Sequence, residues 1–271
     1  MDVKIDTQGI PYSKLNADTR AFLNGCGKVF ETENPPPHVT PVYEVCGNTA
    51  RPVIGYGLTE MKRFRVNRGI RALEHIFYGG AIVHILVSLG NNTEGYGLVA
   101  VFDEREDKCH YKPCGGCQEY GESFLETACR EVLREELIML TIDDRLIQIE
   151  NVHTQADTDT QRAFCERYWT LNPEPVTIPT PIEYVGRYIN PIDHAIEGVF
   201  EIDLRAADLA TIHVREGDFK GDSFFHPVVH LMHPQNNRCV GYFNDRAGFI
   251  VAAYSDACKL HPAFDMYRKY K

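Results

Sequence analysis

Between Gly115 and Ile138 the chain reads GGCQEYGESFLETACREVLREELI, and the residue types and their spacing suit metal-assisted chemistry. Glu131 and Glu135 are four residues apart. On a helix that spacing puts both carboxylates on one face, about 40° apart. Two like charges so placed repel unless solvent or a shared divalent cation screens them. Hard oxygen ligands of this kind suit Mg²⁺ or Mn²⁺. Leu125, Ala128, Cys129 and Val132 form the opposite, apolar face, which can pack on a sheet. Ser123 is a natural N-cap, and Glu126 three residues on completes a capping box.

The same segment resembles the Nudix box: a glycine, five residues, Glu, seven residues, Arg-Glu, an aliphatic residue, any residue, Glu-Glu, any residue, Gly, aliphatic. Gly116 takes the first glycine, Glu122 the first acid, Arg130-Glu131 the central pair and Val132 the aliphatic place. Glu135 is the second glutamate of the later pair and Ile138 the closing aliphatic. Two positions depart: Arg134 stands where a glutamate is expected, and Leu137 replaces the last glycine. The match covers 23 of 271 residues.

The resemblance implies an α/β fold, a Nudix-like α/β/α sandwich with a mixed sheet. It implies a hydrolase that cleaves the diphosphate bond of a nucleoside diphosphate derivative, a nucleotide or nucleotide-sugar, with Mg²⁺ or Mn²⁺. Glu131 and Glu135 would be the metal ligands, joined by a backbone carbonyl near Gly115 or Gly116. Glu122 and Arg130 would fix the loop against the helix by a salt bridge. Arg134 cannot bind a cation, so the site holds fewer metals or a one-residue slip brings in Glu136. A further acid beyond the box, as ligand or general base, is expected at Glu197, just before a strand at 199–202; Glu201 and Glu183 compete for that role. Subgroup markers past the box are missing at His153–Ala156, which leaves the substrate unspecified. Two other readings stay open: a non-catalytic nucleotide-binding or regulatory module of the same fold, and an RNA-cap hydrolase.

Several elements must position these groups. Asn16-Ala17-Asp18 opens a short helix, and Glu31–His38, with three prolines, breaks the chain. Val42–Tyr56 has strand composition. Ala81–Leu89 and Tyr96–Asp103 predict a hairpin across a Gly-Asn-Asn turn. A glycine-rich loop at 112–121 then precedes a helix over about 123–137. Strands are predicted at 146–151, 163–171 and 199–202, a short helix at 205–212 and a terminal helix at 246–270. Residues 1–75 read as an N-terminal extension of unassigned fold, and 76–271 as the hydrolase domain.

Other clusters carry less. Cys109, His110, Cys114 and Cys117 do not make a paired-knuckle zinc site, and read as reduced thiols. The histidines of HPVVHLMH lack the Glu that a metalloprotease motif places beside its first His. No phosphate-binding Gly-Lys-Ser/Thr occurs.

Composition bounds the partners. The net charge of −10 argues against general nucleic-acid binding. Residues 51–71 nevertheless carry a local +5, with Arg51, Lys62, Arg63, Arg65, Arg68 and Arg71 against Glu60, leaving −15 elsewhere. Arg63 and Arg65 are the candidate substrate-binding cations, and 61–71 is where RNA would be steered. The longest apolar run, Ala81–Leu89, is about half a membrane span, and the N-terminus lacks a basic start followed by an apolar run. With 9 cysteines, an odd number, a reducing, cytoplasmic setting is expected. A homodimer is compatible with all of this.

Overall fold

The computed structural model describes residues 2–29, 39–59, 75–88, 96–103, 110–131, 139–142, 145–150, 178–179, 182–190, 194–205, 211–213, 215–216, 224–225, 228–232, 239–244 and 248–251. In chain order the elements begin with β1 (Lys4–Ile5), β2 (Ile10–Pro11), α1 (Ala17–Cys26), β3 (Lys28–Val29), β4 (Thr40–Cys46), β5 (Thr49–Leu58) and β6 (Ile76–Ser88). There follow β7 (Tyr96–Asp103), β8 (His110–Lys112), β9 (Cys114–Cys117), α2 (Phe124–Arg130), β10 (Met139–Ile142), β11 (Arg145–Glu150) and β12 (Ile178–Pro179). The rest are β13 (Glu183–Asn190), β14 (Ala195–Leu204), β15 (Thr211–His213), β16 (Arg215–Glu216), β17 (Phe224–Phe225), β18 (Val228–Met232), β19 (Cys239–Asn244) and β20 (Gly248–Val251). Among the described residues this is a mixed-sheet fold with few helices.

The chain divides into two compact units, the first made of Met1–Ala81, Gly116–Thr127 and Val185–Val199. Its sheet is mixed. β5 takes β1 and β2 in parallel and β3 and β4 antiparallel, and β4 continues to β6 antiparallel. The β4–β5 turn leaves only Gly47 and Asn48 between the paired residues Cys46 and Thr49. A two-residue hairpin loop needs positive φ, and Gly47 supplies it at 63°. Helix α1 starts where its sequence allows: the Asn16 side chain accepts from the Thr19 N–H at 2.7 Å. Its inward residues Leu23 and Cys26 join Leu15, Val42, Val53, Tyr56, Leu58, Ile76, Tyr78 and Ala195 in one core. The Tyr56 hydroxyl, buried there, donates to the Leu23 carbonyl at 2.5 Å, which satisfies a polar atom the core would otherwise penalise. Residues expected as an extension thus share a core with Ala195, from the C-terminal half of the sequence.

The second unit comprises Ile82–Gly115, Ala128–Tyr184 and Phe200–Lys271. The hairpin foreseen around residues 90–92 is present: β6 and β7 pair antiparallel from Leu86↔Leu98 to Ser88↔Tyr96. β18 adds to β7, and β19 and β20 follow, all antiparallel, while β8 pairs with the far end of β7. A separate sheet has the order β12-β11-β10-β15.

Four expectations change. The glycine-rich segment 112–121 contains strand β9, because CGGC pairs its backbone with β6, and that needs no β-prone side chain. The helix foreseen over 205–212 is corrected at its end, where Thr211 and Ile212 belong to β15, which pairs with β10; 206–210 lie outside the described residues. The terminal helix over 246–270 is replaced at its start by β20, which completes a hairpin with β19. The strand foreseen at 199–202 begins earlier, at Ala195. The helix beyond Glu131, the break at 31–38 and the strand at 163–171 lie outside the described residues.

Candidate functional site

The proposed site starts from a close approach of backbones. β6 carries Gly79 and Gly80, and β9 and β14 both pair with it. A Cβ on Gly80 would lie 3.1 Å from the Gly116 carbonyl oxygen and 3.7 Å from Glu197 Cγ. The glycine therefore leaves a small cradle with the box-glycine carbonyl on one side and the Glu197 side chain on the other. Tyr78 N–H donates to the His194 carbonyl at 2.9 Å, and Gly80 meets Glu197 a few residues on, so both strands advance in the same sense. His194 enters β14 with φ at 54°, a strained value for a residue with a Cβ, and its ring stacks on Phe77 at 5.8 Å.

Glu197 therefore sits on a strand, not ahead of one. It is 7% exposed, and the Asn190 amide, 1% exposed, donates to its Oε2 at 3.4 Å. A carboxylate this deeply enclosed is costly unless hydrogen bonds or a cation compensate it.

Beyond Gly116 the segment is tied down residue by residue. Gln118 N–H donates to the Gly79 carbonyl at 3.0 Å, and Tyr120 N–H to the Val39 carbonyl at 2.6 Å. Glu122 Oε2 accepts from the Glu119 N–H at 2.9 Å and from the Thr127 hydroxyl at 3.0 Å. The capping box is present: Ser123 N–H donates to Glu126 Oε2 at 2.6 Å, and Glu126 N–H to Ser123 Oγ at 3.2 Å. Glu122 thus holds the turn into α2 through backbone and hydroxyl donors. Gly115, at φ 147°, occupies a backbone region that side chains rarely adopt.

In the second unit Glu131 is 5% exposed, and Arg130 Nη1 donates to its Oε1 at 3.0 Å. A carboxylate offers about four lone-pair positions, so this pairing does not exhaust it. Glu135, Arg134, Glu136, Leu137, Arg63 and Arg65 lie outside the described residues. Glu201 is buried on β14 and Glu183 exposed on β13. Cys114 and Cys117 stand as thiols.

In the first unit the donors beside Gly80 are oxygens, the Gly116 carbonyl and the Glu197 carboxylate. That chemistry fits Mg²⁺ or Mn²⁺ and not a soft metal. Among the described residues, no group of three or more His, Cys, Asp or Glu side chains converges on one point.

Sequence reasoning passed over Gly79, Gly80, Gln118, Tyr43 and Asn190. A glycine pair inside an apolar strand run was the available signal, because it marks close backbone approach. Tyr43 OH donates to Gln118 Oε1 at 2.8 Å, and its ring stacks on Phe124 at 6.0 Å. Burial pushes the Tyr43 phenol up to about 12, against opposing pulls from the Gln118 hydrogen bond and the Arg187 charge. The folded value lies above the unfolded value of 10.0, so this contribution to stability is intact below pH 10 and is lost as pH rises through 12. An ultraviolet phenolate titration is expected to show a tyrosine ionising about two pH units late, and Tyr43→Phe to remove it. Normal titration of every tyrosine up to unfolding would contradict this.

No family model matches the chain, and no curated protein does. Among solved structures, the chain is similar to a MutT/nudix family protein from Enterococcus faecalis, with TM-score 0.34 and 10% identity over 71% of this chain. The chain spans 60% of that protein's length. No described helix is long and apolar enough to cross a membrane.

Proposed function

We propose that the chain is a Nudix-type, metal-dependent hydrolase of the diphosphate bond in a nucleoside diphosphate derivative. The observation that carries the reading is the meeting of the Gly116 carbonyl and the enclosed Glu197 side chain at Gly80. Gly116 and Glu197, both expected from the box resemblance, lie beside Gly80. Glu131 and Glu135 would hold Mg²⁺ or Mn²⁺. When bound, the cation neutralises the diphosphate and makes its attacking water more acidic. Glu197 would orient or deprotonate that water, and Asn190 fixes the carboxylate for the task. Arg130 holds the Glu131 carboxylate in place, and Glu122 keeps the turn into α2 closed. Arg63 and Arg65 would meet substrate phosphates.

A second reading, a nucleotide-binding module without turnover, is favoured by two observations. Glu131 is already paired with Arg130, and Arg134 puts a second cation in the box. A screen of nucleoside diphosphate derivatives with Mg²⁺ or Mn²⁺ separates the two. Phosphate-bond cleavage that stops with chelator supports the hydrolase. Saturable binding without cleavage supports the module. Cleavage of capped RNA that falls steeply with salt would instead mark an RNA substrate steered by 61–71.

A further inference from the structure

Gln118 is 2% exposed, two residues beyond Gly116, and its side-chain amide is used at both ends. Its Nε2 donates to the Glu122 carbonyl at 2.5 Å, and its Oε1 accepts from the Tyr43 hydroxyl at 2.8 Å. The orientation is unambiguous. A backbone carbonyl can only accept, so the NH₂ end must face Glu122 and the oxygen must face Tyr43. Its own N–H binds the Gly79 carbonyl, and a Cβ on Gly79 would collide with its Oε1. One side chain thus ties the Gly116–Glu122 turn to β4, while its backbone ties the turn to β6.

We propose that Gln118 is a positioning residue, whose buried amide holds the Gly116 carbonyl and the turn to Glu122 in the geometry the site requires. This rests on the hydrolase reading above. It adds a residue whose effect would pass through the turn and not through contact with substrate. A buried amide bonded at both ends is a stiff clamp, since each unmade bond would leave a desolvated polar group behind.

The test compares wild type, Gln118→Leu and Gln118→Glu by hydrogen-exchange mass spectrometry over residues 116–123. Mn²⁺-dependent hydrolysis of ADP-ribose and UDP-glucose is measured in parallel. Gln118→Leu is expected to exchange at least tenfold faster in that segment. It should lose at least tenfold in kcat, with KM within about twofold. Gln118→Glu keeps an acceptor for Tyr43 and loses the NH₂ donor to the Glu122 carbonyl, so the same two losses are expected in it. Wild-type exchange in Gln118→Leu, or faster exchange with kcat unchanged, would overturn the proposal. If wild type hydrolyses neither probe, the hydrolase reading fails on that ground, and the exchange data still decide whether Gln118 holds the turn.

Discussion

Glu197→Gln is expected to lower metal-dependent turnover by about 10²–10⁴-fold, the usual range for removing an acid–base group, without lowering the melting temperature. The substitution is nearly isosteric. It keeps a side-chain oxygen that can accept from Asn190, so that hydrogen bond survives. What it removes is a charge at 7% exposure, and a charge kept out of water is a cost to the folded state. Stability should therefore hold or rise while turnover falls, the pattern of a residue retained for function. Kinetics and a thermal melt on the same preparation check both halves. Unchanged turnover would make Glu197 a structural carboxylate, and a melt lowered by many degrees would make any loss of turnover uninformative.

Gly79→Ala is expected to destabilise by about 1–3 kcal/mol, the typical cost of overpacking. The new methyl would strike Gln118 Oε1 and lie 3.0 Å from Tyr43 Cε2 and 3.1 Å from Gln118 Cβ. Neither neighbour can yield cheaply. Tyr43 is 5% exposed and stacked on Phe124, and Gln118 is held at both ends of its amide. Gly25→Ala is the matched control. It lies in α1 with nothing within 4 Å of the added Cβ, and the change is expected to stabilise by about 0.4–1 kcal/mol. Chemical denaturation of both variants measures the contrast. Equal midpoints would show that the Gly79 contact relaxes without cost.

Local signals were legible in the sequence wherever one residue's chemistry decides the structure. Asn16 and Ser123 cap their helices as their side chains require, and Glu126 closes its box. The β6–β7 hairpin followed from an apolar run, turn residues and a second run. The misses have a common cause: strands whose partner, not whose composition, makes them strands. CGGC is poor in β-prone residues and still forms β9 on β6. Ala195, Glu197 and Gly198 delayed the expected start of β14 for the same reason. Thr211 and Ile212 read as helix from local spacing but belong to β15, beside β10 some 70 residues earlier. In Val42–Tyr56, Gly47-Asn48 was the overlooked turn that splits one run into β4 and β5. The network around Gln118 is equally invisible from sequence, because Tyr43 is 75 residues away.

Phosphate release from nucleoside diphosphate derivatives, measured for wild type and Glu135→Gln in parallel across Mg²⁺ and Mn²⁺ concentrations, tests most directly whether the box carboxylates hold the cation for diphosphate cleavage. The expected result is metal-dependent release by wild type and a loss of about 10²-fold or more in Glu135→Gln, only partly recovered at high Mn²⁺. Wild-type turnover that survives Glu135→Gln undiminished would contradict the site, and no turnover on any such substrate would contradict the hydrolase.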